Sequence, residues 1–350
     1  MKIVCSAIFI ILMTACSMLH YSPQETILLE GQVFNTQVII DGHQYDGLII
    51  RNCTFEDIDA NSALMLRNVN DVLITNCTFR SIRGHGIRLW HEGEGTDNVQ
   101  IIDNIFTDIS YNGILGQEPN INTVIRGNDI SNVGLDWFSG PILGAPHHGI
   151  YWQGPGFLIE NNRIYNNYDN TGNALSVRTW GIIRGNILYD GAKRGITYYA
   201  DHPGNGGTLL IENNVVFDNR INALGLDSAG SPENLIGNAI IRFNTLVQTG
   251  TDTLRVHSSM AGVNVQIYGN ILVNQQSDGE FVRSDIEISQ YHNLEQRDGT
   301  GFVDFTGRNL DLVPGSPAEG FAEGISDYPA TDIDGDIRPT GMLDAGADEI

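Results

Sequence analysis

Lysine is nearly absent from this chain. Of its 19 basic residues only Lys2 and Lys193 are lysines, and Lys193 stands beside Arg194 in the segment DGAKRG, a little after Arg178. Guanidinium groups next to an amine disfavour its charged form, which makes the amine a better proton acceptor near neutral pH. A base flanked by cations is what β-elimination from a uronic acid requires: the cations neutralise the carboxylate, and the base takes the proton next to it. In that reading Lys193 is the base, Arg178 and Arg194 neutralise the carboxylate, and His148 or Tyr199 donates the proton to the leaving group. A solvated turn lysine would look the same in DGAKRG. Asp201, Asp227 and Asp252 offer a different chemistry, the paired carboxylates of glycoside hydrolysis, although Asp at such positions also caps turns. Asp201 and Asp227 are also the candidates for bridging a calcium ion.

These residues need a scaffold, and the chain announces one by repetition. Nine phrases share an apolar residue, two variable residues, Asn or Cys, one variable residue and another apolar residue, among them LIIRNCTF, FLIENNRI and VQIYGNIL. The shared polar position falls on Cys53, Cys77, Asn104, Asn128, Asn162, Asn186, Asn214, Asn244 and Asn270. An internal period of this kind, with Val, Ile and Leu in short runs, predicts an all-β solenoid of stacked parallel coils, nine or more in number. Asn suits the corner because it tolerates the left-handed conformation a bend needs and its amide can bond to the next coil. At one coil per strand spacing the nine coils make a rod roughly 40 Å long, a single domain. The expected boundaries are residues 31–305 for the rod and 306–350 for a C-terminal capping segment.

After each Asn phrase comes a second strand, such as HGIRLW, HGIYWQ or RGITYY. Outward residues on successive coils align into columns. One column reads Arg88, Leu115, Tyr151, Ser176, Thr197, Gly225, Arg255; two residues on lies Trp90, Gln117, Gln153, Arg178, Tyr199, Asp227, His257. The strand entrances carry His85, Asn112, His148, Asn173, Arg194, Asn222 and Asp252, and just past the strand ends stand His91, Glu118, Asp201 and His202. Aromatic rings beside Arg and carboxylates suit sugar rings, with stacking on the apolar face and hydrogen bonds to hydroxyls. Trp90, Tyr151, Gln153, Arg88 and His257 are therefore the expected substrate-binding residues. One long step between repeats inserts Trp137, Phe138, His147 and His148 before the central coils, either as a binding loop or as a cover for an apolar flank.

The N-terminus, MKIVCSAIFIILMTACS, has a basic start, an apolar stretch and small residues before Cys16, a secretory signal over residues 1–15. MTAC resembles the bacterial lipobox, so Cys16 is expected to carry lipid, with residues 16–30 as tether or cap. The protein is then exported to the cell envelope and meets the membrane through that lipid alone. A formal net charge of −23 argues against nucleic acid as partner and requires a local basic patch or a bridging cation for any anionic sugar. Nothing points to an oligomer, and a monomer is expected. Cys53 and Cys77 occupy equivalent places on adjacent coils, where they either pair or stack as buried thiols. The acidic DIDGDIRP lacks the downstream Glu of an EF-hand and reads as an Asp-Gly turn.

Three segments, VIIDGHQYDGLIIRNCTF, HGIYWQGPGFLIENNRIYNN and the C-terminal DIDGDIRPTGMLDAGADEI, resemble the secreted bacterial right-handed parallel β-helix repeat proteins of the pectate-lyase-like superfamily. The resemblance runs over roughly residues 30–350 and implies carbohydrate-active chemistry: lyases above all, with hydrolases and epimerases beside them. Lys193 with Arg178 or Arg194 matches the Lys and Arg that lyases of the alginate and chondroitin branch use with calcium. That branch's Asn-Gly-acid motif and the Asp-Pro-His-Asp motif of mannuronan epimerases are both missing. The expected function is a polysaccharide lyase acting on a uronic-acid glycan. The alternatives are a non-catalytic glycan-binding surface lipoprotein and a glycoside hydrolase using paired Asp.

Overall fold

The computed structural model describes residues 28–90, 92–134, 146–168, 172–191, 193–248 and 250–350. Cys16, His91, Trp137 and Phe138 lie outside these residues. Every coil but the last contributes one strand to each of three parallel sheets. The first sheet runs from Leu28–Glu30 to Ser289–Tyr291 and the second from Val33–Phe34 to Leu294–Gln296, with 11 strands each; the third, with 10, runs from Val38–Asp41 to Val282–Ser284. The nine Asn and Cys phrases are thus flanked by further strands at both ends. No described helix is long and apolar enough to cross a membrane.

The sequence period becomes packing through exact stacking of like on like. In the first sheet Ile50, Ile74, Ile101, Ile125, Ile159 and Ile183 pair coil to coil, all fully buried. In the second, Phe34, Phe55, Phe79 and Phe106 stack with ring centroids 4.9, 4.6 and 4.7 Å apart, close to the strand spacing. The third buries Leu64, Ile87, Ile114, Ile150, Leu175 and Ile196 in one column. Together these columns fill the rod, so β-branched residues at a spacing of one coil are both the strand formers and the core.

The corner between the first and second sheets holds the repeated Asn. Asn186 Nδ2 donates to Ile159 O at 2.9 Å, Arg184 O at 3.0 Å and Asn214 Oδ1 at 2.9 Å, while its own Oδ1 accepts from the backbone and side chain of Asn162. The same pattern extends past the last phrase to Asn293, which accepts from Asn270. One expectation changes: the left-handed residue is the one before the ladder position, Asn52, Asn76, Asp103, Asn161 and Asn213 with φ of 52 to 56°. The ladder Asn itself stays out of that region, because its side chain must run along the rod axis to meet the next amide. Cys53 and Cys77 occupy the first two rungs as buried free thiols, with the Cys53 backbone donating to Cys77 Sγ at 3.4 Å.

Beyond the last coil the chain turns back over the outside of the second sheet. A hairpin of Phe302–Asp304 and Asn309–Leu312 leads into irregular chain, and Phe302, Leu310 and Leu312 of the hairpin with Ala318 and Ala345 beyond it pack on Tyr189, Phe217, Val247 and Val273. Arg308 ties this segment to Asp190 at 3.0 Å and to Asp218 at 2.8 Å. Arg338, wholly buried at its side chain, pairs with Glu349 and donates to Asn213 Oδ1 at 3.2 Å.

Candidate functional site at the two edges of the third sheet

The outward columns form as the repeat predicts. Arg88, Leu115, Tyr151, Ser176, Thr197, Gly225 and Arg255 are in register, and the pairing extends to Met65 on one side and Arg283 on the other. Tyr199 pairs with Asp227 in the second column, and Val177 pairs with Tyr198, which places Arg178 level with Tyr199.

That register places the backbones of the residues grouped as catalytic at the two ends of the strands. Lys193 and Arg194 stand where the strand Arg194–Ala200 enters the sheet, while Arg178 and Tyr199 stand where their strands leave it. The six steps from Lys193 to Tyr199 put their backbones about 20 Å apart at the rise of an extended strand, but the Arg178 guanidinium turns back to Ser176 Oγ and Arg194 lies over Gly225, so both arginine side chains come to the outward column of Ser176, Thr197 and Gly225.

At the entrance edge, burial lowers the Lys193 pKa, and Arg194 and Arg220 lower it further against the opposing pull of Asp227. Arg194 extends along the face over Gly225: a methyl group on that glycine would meet its Cδ at 3.0 Å and its Cζ at 3.1 Å. Its Nε donates to Asn222 Oδ1 at 3.3 Å, and no carboxylate pairs with it among the described residues. Arg255 belongs to the same patch, paired with Asp285. In a chain this acidic, Lys193, Arg194, Arg220 and Arg255 are the local basic patch an anionic sugar needs.

His148 also lies at the entrance edge, but inside the wall. It is 1% exposed, its Nδ1 accepts from the Asn173 N–H at 2.8 Å, and the His148 N–H donates in turn to Asn112 Oδ1. His85 does the same for the Asn112 N–H at 3.2 Å. Burial holds both histidines well below the ordinary imidazole range, with Arg178, His147 and Lys193 adding to the effect at His148 and Arg88 and His147 at His85. These rings are rungs of a second polar ladder and stay neutral, so the role of proton donor given to His148 has no support in its surroundings.

At the exit edge the arginine has a carboxylate partner, where Arg194 at the entrance has an amide oxygen. Arg178, 7% exposed, puts its Nε 3.1 Å from Asp201 Oδ1 and donates to Ser176 Oγ at 2.6 Å, with its guanidinium 4.5 Å from the Tyr151 ring and 5.3 Å from the Tyr199 ring. Asp201 Oδ1 also lies 2.6 Å from His202 Nδ1. A cleft of about 520 Å³ opens beside them, lined by Gln117, Glu118, Pro119, Gln153 and His202. Farther along the same edge Trp90 has Arg88 at 3.9 Å and Arg67 at 5.4 Å from its ring. Arg88 donates to Gln117 Oε1 at 2.9 Å, and burial with help from Arg67 lowers its pKa to about 10. Arg67 escaped the column alignment because its strand, SALMLR, lies one coil before the first aligned copy. Asp201 and His202 were both visible beyond a strand end, but nothing in the sequence shows that the imidazole turns back onto the carboxylate.

A calcium ion does not suit Asp201 and Asp227. Asp201 is engaged by a guanidinium and an imidazole, and Asp227 Oδ1 accepts from Ser259 Oγ at 3.0 Å and the Ser228 N–H at 2.8 Å, with His257 Nδ1 at 3.4 Å. Among the described residues no three His, Cys, Asp or Glu side chains converge as a metal site.

The fold is shared with carbohydrate-related proteins. Pectate lyase Pel9A superposes with a TM-score of 0.61 at 13% identity over 92% of this chain and 87% of that one. XylC, solved in complex with xylose, gives 0.57 at 12% identity over 87% of this chain, which spans only 65% of XylC. The A-module of the Azotobacter vinelandii mannuronan C-5 epimerase AlgE6 gives 0.52 at 13% identity, covering 77% and 82% of the two chains. No curated protein matches the sequence. At such identities these likenesses speak for the fold, while the family model of the right-handed β-helix region matches residues 19–136 and 62–246. With more than half of its length matched, the chain belongs to the right-handed β-helix family.

Proposed function

We propose that this protein is an exported polysaccharide lyase that cleaves a uronic-acid glycan by β-elimination at the entrance edge of the third sheet. The observation that carries the reading is Lys193: the one lysine among the described residues, its charged form disfavoured by burial and then by Arg194 and Arg220, beside a guanidinium with no carboxylate at ion-pair distance among the described residues. A sugar carboxylate would take Arg194 as its counter-ion, beside Arg255 and its partner Asp285, which acidifies the carbon next to it. Lys193, as neutral amine, takes that proton; the bond to the leaving sugar oxygen breaks, a carbon–carbon double bond forms, and solvent returns a proton to the leaving oxygen. Arg178 and Tyr199 then serve the exit edge, where Trp90, Arg88, Tyr151 and Gln153 offer stacking and hydrogen bonds to rings outside the cleaved bond. Export and lipid attachment at Cys16 are part of the proposal and rest on the N-terminal residues. Pectate lyase Pel9A is a lyase on the same fold, in keeping with this chemistry.

The test is ultraviolet absorbance of the unsaturated uronide, followed with the mature protein on a panel of uronic-acid polysaccharides beside Lys193→Ala. A rise on one glycan that the variant loses supports the reading. An intact polymer that nevertheless retards the protein in affinity gels would replace it with a glycan-binding protein, and new reducing ends without the double bond would replace it with a hydrolase.

A further inference from the structure

A second cleft lies on the opposite side of the molecule, where the C-terminal segment meets the second sheet. It encloses about 690 Å³, the size that holds one or two sugar rings. Its floor is apolar: Ile187, Tyr189, Val215 and Phe217 from two neighbouring coils, with the Tyr189 and Phe217 rings stacked at 4.9 Å. Arg308 forms one wall and is held by two carboxylates, Asp190 and Asp218. Arg163 lies near Asp129 at 3.9 Å and donates to the Tyr189 hydroxyl. Both guanidiniums are thus already answered.

The acidic wall is not. Asp311, Asp334 and Asp348 line the cleft, and none has a Lys, Arg or His at ion-pair distance among the described residues. Asp348 is only 8% exposed; its Oδ2 accepts the Leu312 N–H at 2.6 Å. Burial, with Asp311 and Asp332 nearby, raises its pKa to about 6, and burial and the same neighbours also raise Asp334. The cleft therefore pairs an apolar floor for a ring face with an excess of acceptors and negative charge on one side.

We propose that this cleft binds a hydroxyl-rich ring carrying a protonated amine, an amino-sugar unit, with its apolar face on Ile187, Val215 and Tyr189 and its ammonium against Asp311, Asp334 and Asp348. The site is complementary in sign to the basic entrance edge and lies on another sheet, so it does not depend on the lyase reading. It would let the rod hold one polymer by its acidic units and another, or another part of a mixed glycan, by its basic ones.

Calorimetric titration of the mature protein with glucosamine trimer at pH 6, where those amines are mostly charged, tests it. Binding is expected, with N-acetylglucosamine trimer and galacturonate trimer at least about tenfold weaker because neither supplies a cation. The double variant Asp311→Asn, Asp334→Asn, both exposed and close in shape to wild type, should lose affinity by a similar factor while its melting temperature stays in place. Lys193→Ala should bind like wild type, which separates this site from the lyase. Equal affinity for the acetylated trimer, unchanged binding by the double variant, calcium displacing the sugar from the same carboxylates, or no binding of glucosamine trimer would each overturn the proposal.

Discussion

The entrance and exit edges of the third sheet are made from similar residues and arranged oppositely. At the exit, Arg178 is buried and answered by Asp201, which is shared with His202, and two tyrosines close over the guanidinium. At the entrance, Lys193 and Arg194 are only partly buried, and Arg194 lies along the face with an amide oxygen in place of a counter-ion. A compensated cation holds structure, because its field is spent on its partner; an uncompensated one in a protein of charge −23 keeps that field for a ligand. Charge alone would mark both edges, and only pairing tells them apart.

The comparison breaks most sharply on Lys193. Replacing it with Ala should lower elimination by about 10²–10⁴-fold, the usual weight of a positioned base, with denaturant stability unchanged; a loss of less than about threefold would remove the entrance edge from the chemistry. The exit edge should respond in the other currency. Asp201→Asn strands a buried guanidinium and should cost about 1–3 kcal/mol in chemical denaturation, reduced from the fully buried case because Asp201 is partly exposed, while the elimination rate changes little. A smaller effect sharpens the electrostatic argument. Because the neutral amine is the base, the rate should rise with pH as Lys193 loses its proton, and Arg220→Gln, which removes a like charge, should raise the lysine pKa and move that limb to higher pH.

The smallest expected effect concerns the cap. Asp348 has a folded pKa above its ordinary carboxylate value, so the native state holds the proton more tightly than the unfolded chain. Its contribution is therefore complete below the unfolded pKa and is lost as pH rises through about 6. The melting temperature should decline modestly between pH 4 and 7, and Asp348→Asn, which keeps an acceptor for the Leu312 N–H, should flatten that decline.

The parts of this molecule that repeat were legible, and the parts that do not were largely hidden. Ladder positions from Asn104 to Asn270, and outward columns such as Arg88 to Arg255, follow from a period that also sets the register, so reading one reads the other. The same alignment put Arg178 and Lys193 at opposite strand ends, but it could not show that the Arg178 guanidinium turns back to Ser176 Oγ, toward the column over which Arg194 lies. The fold of Arg194 over Gly225 depends on a missing side chain one coil away, and the return of His202 onto Asp201 depends on a turn conformation that its two residues do not encode. Contacts of the cap are least visible of all. Arg308 meets Asp190 across 118 residues of chain with no period linking them.

The most direct measurement is a crystal structure of the Lys193→Ala variant with a bound oligouronide. The account predicts a sugar carboxylate on Arg194, with the carbon beside it facing the position vacated by the lysine amine. A carboxylate seated instead on Arg88 or at the His202 cleft, with the entrance edge empty, would contradict it.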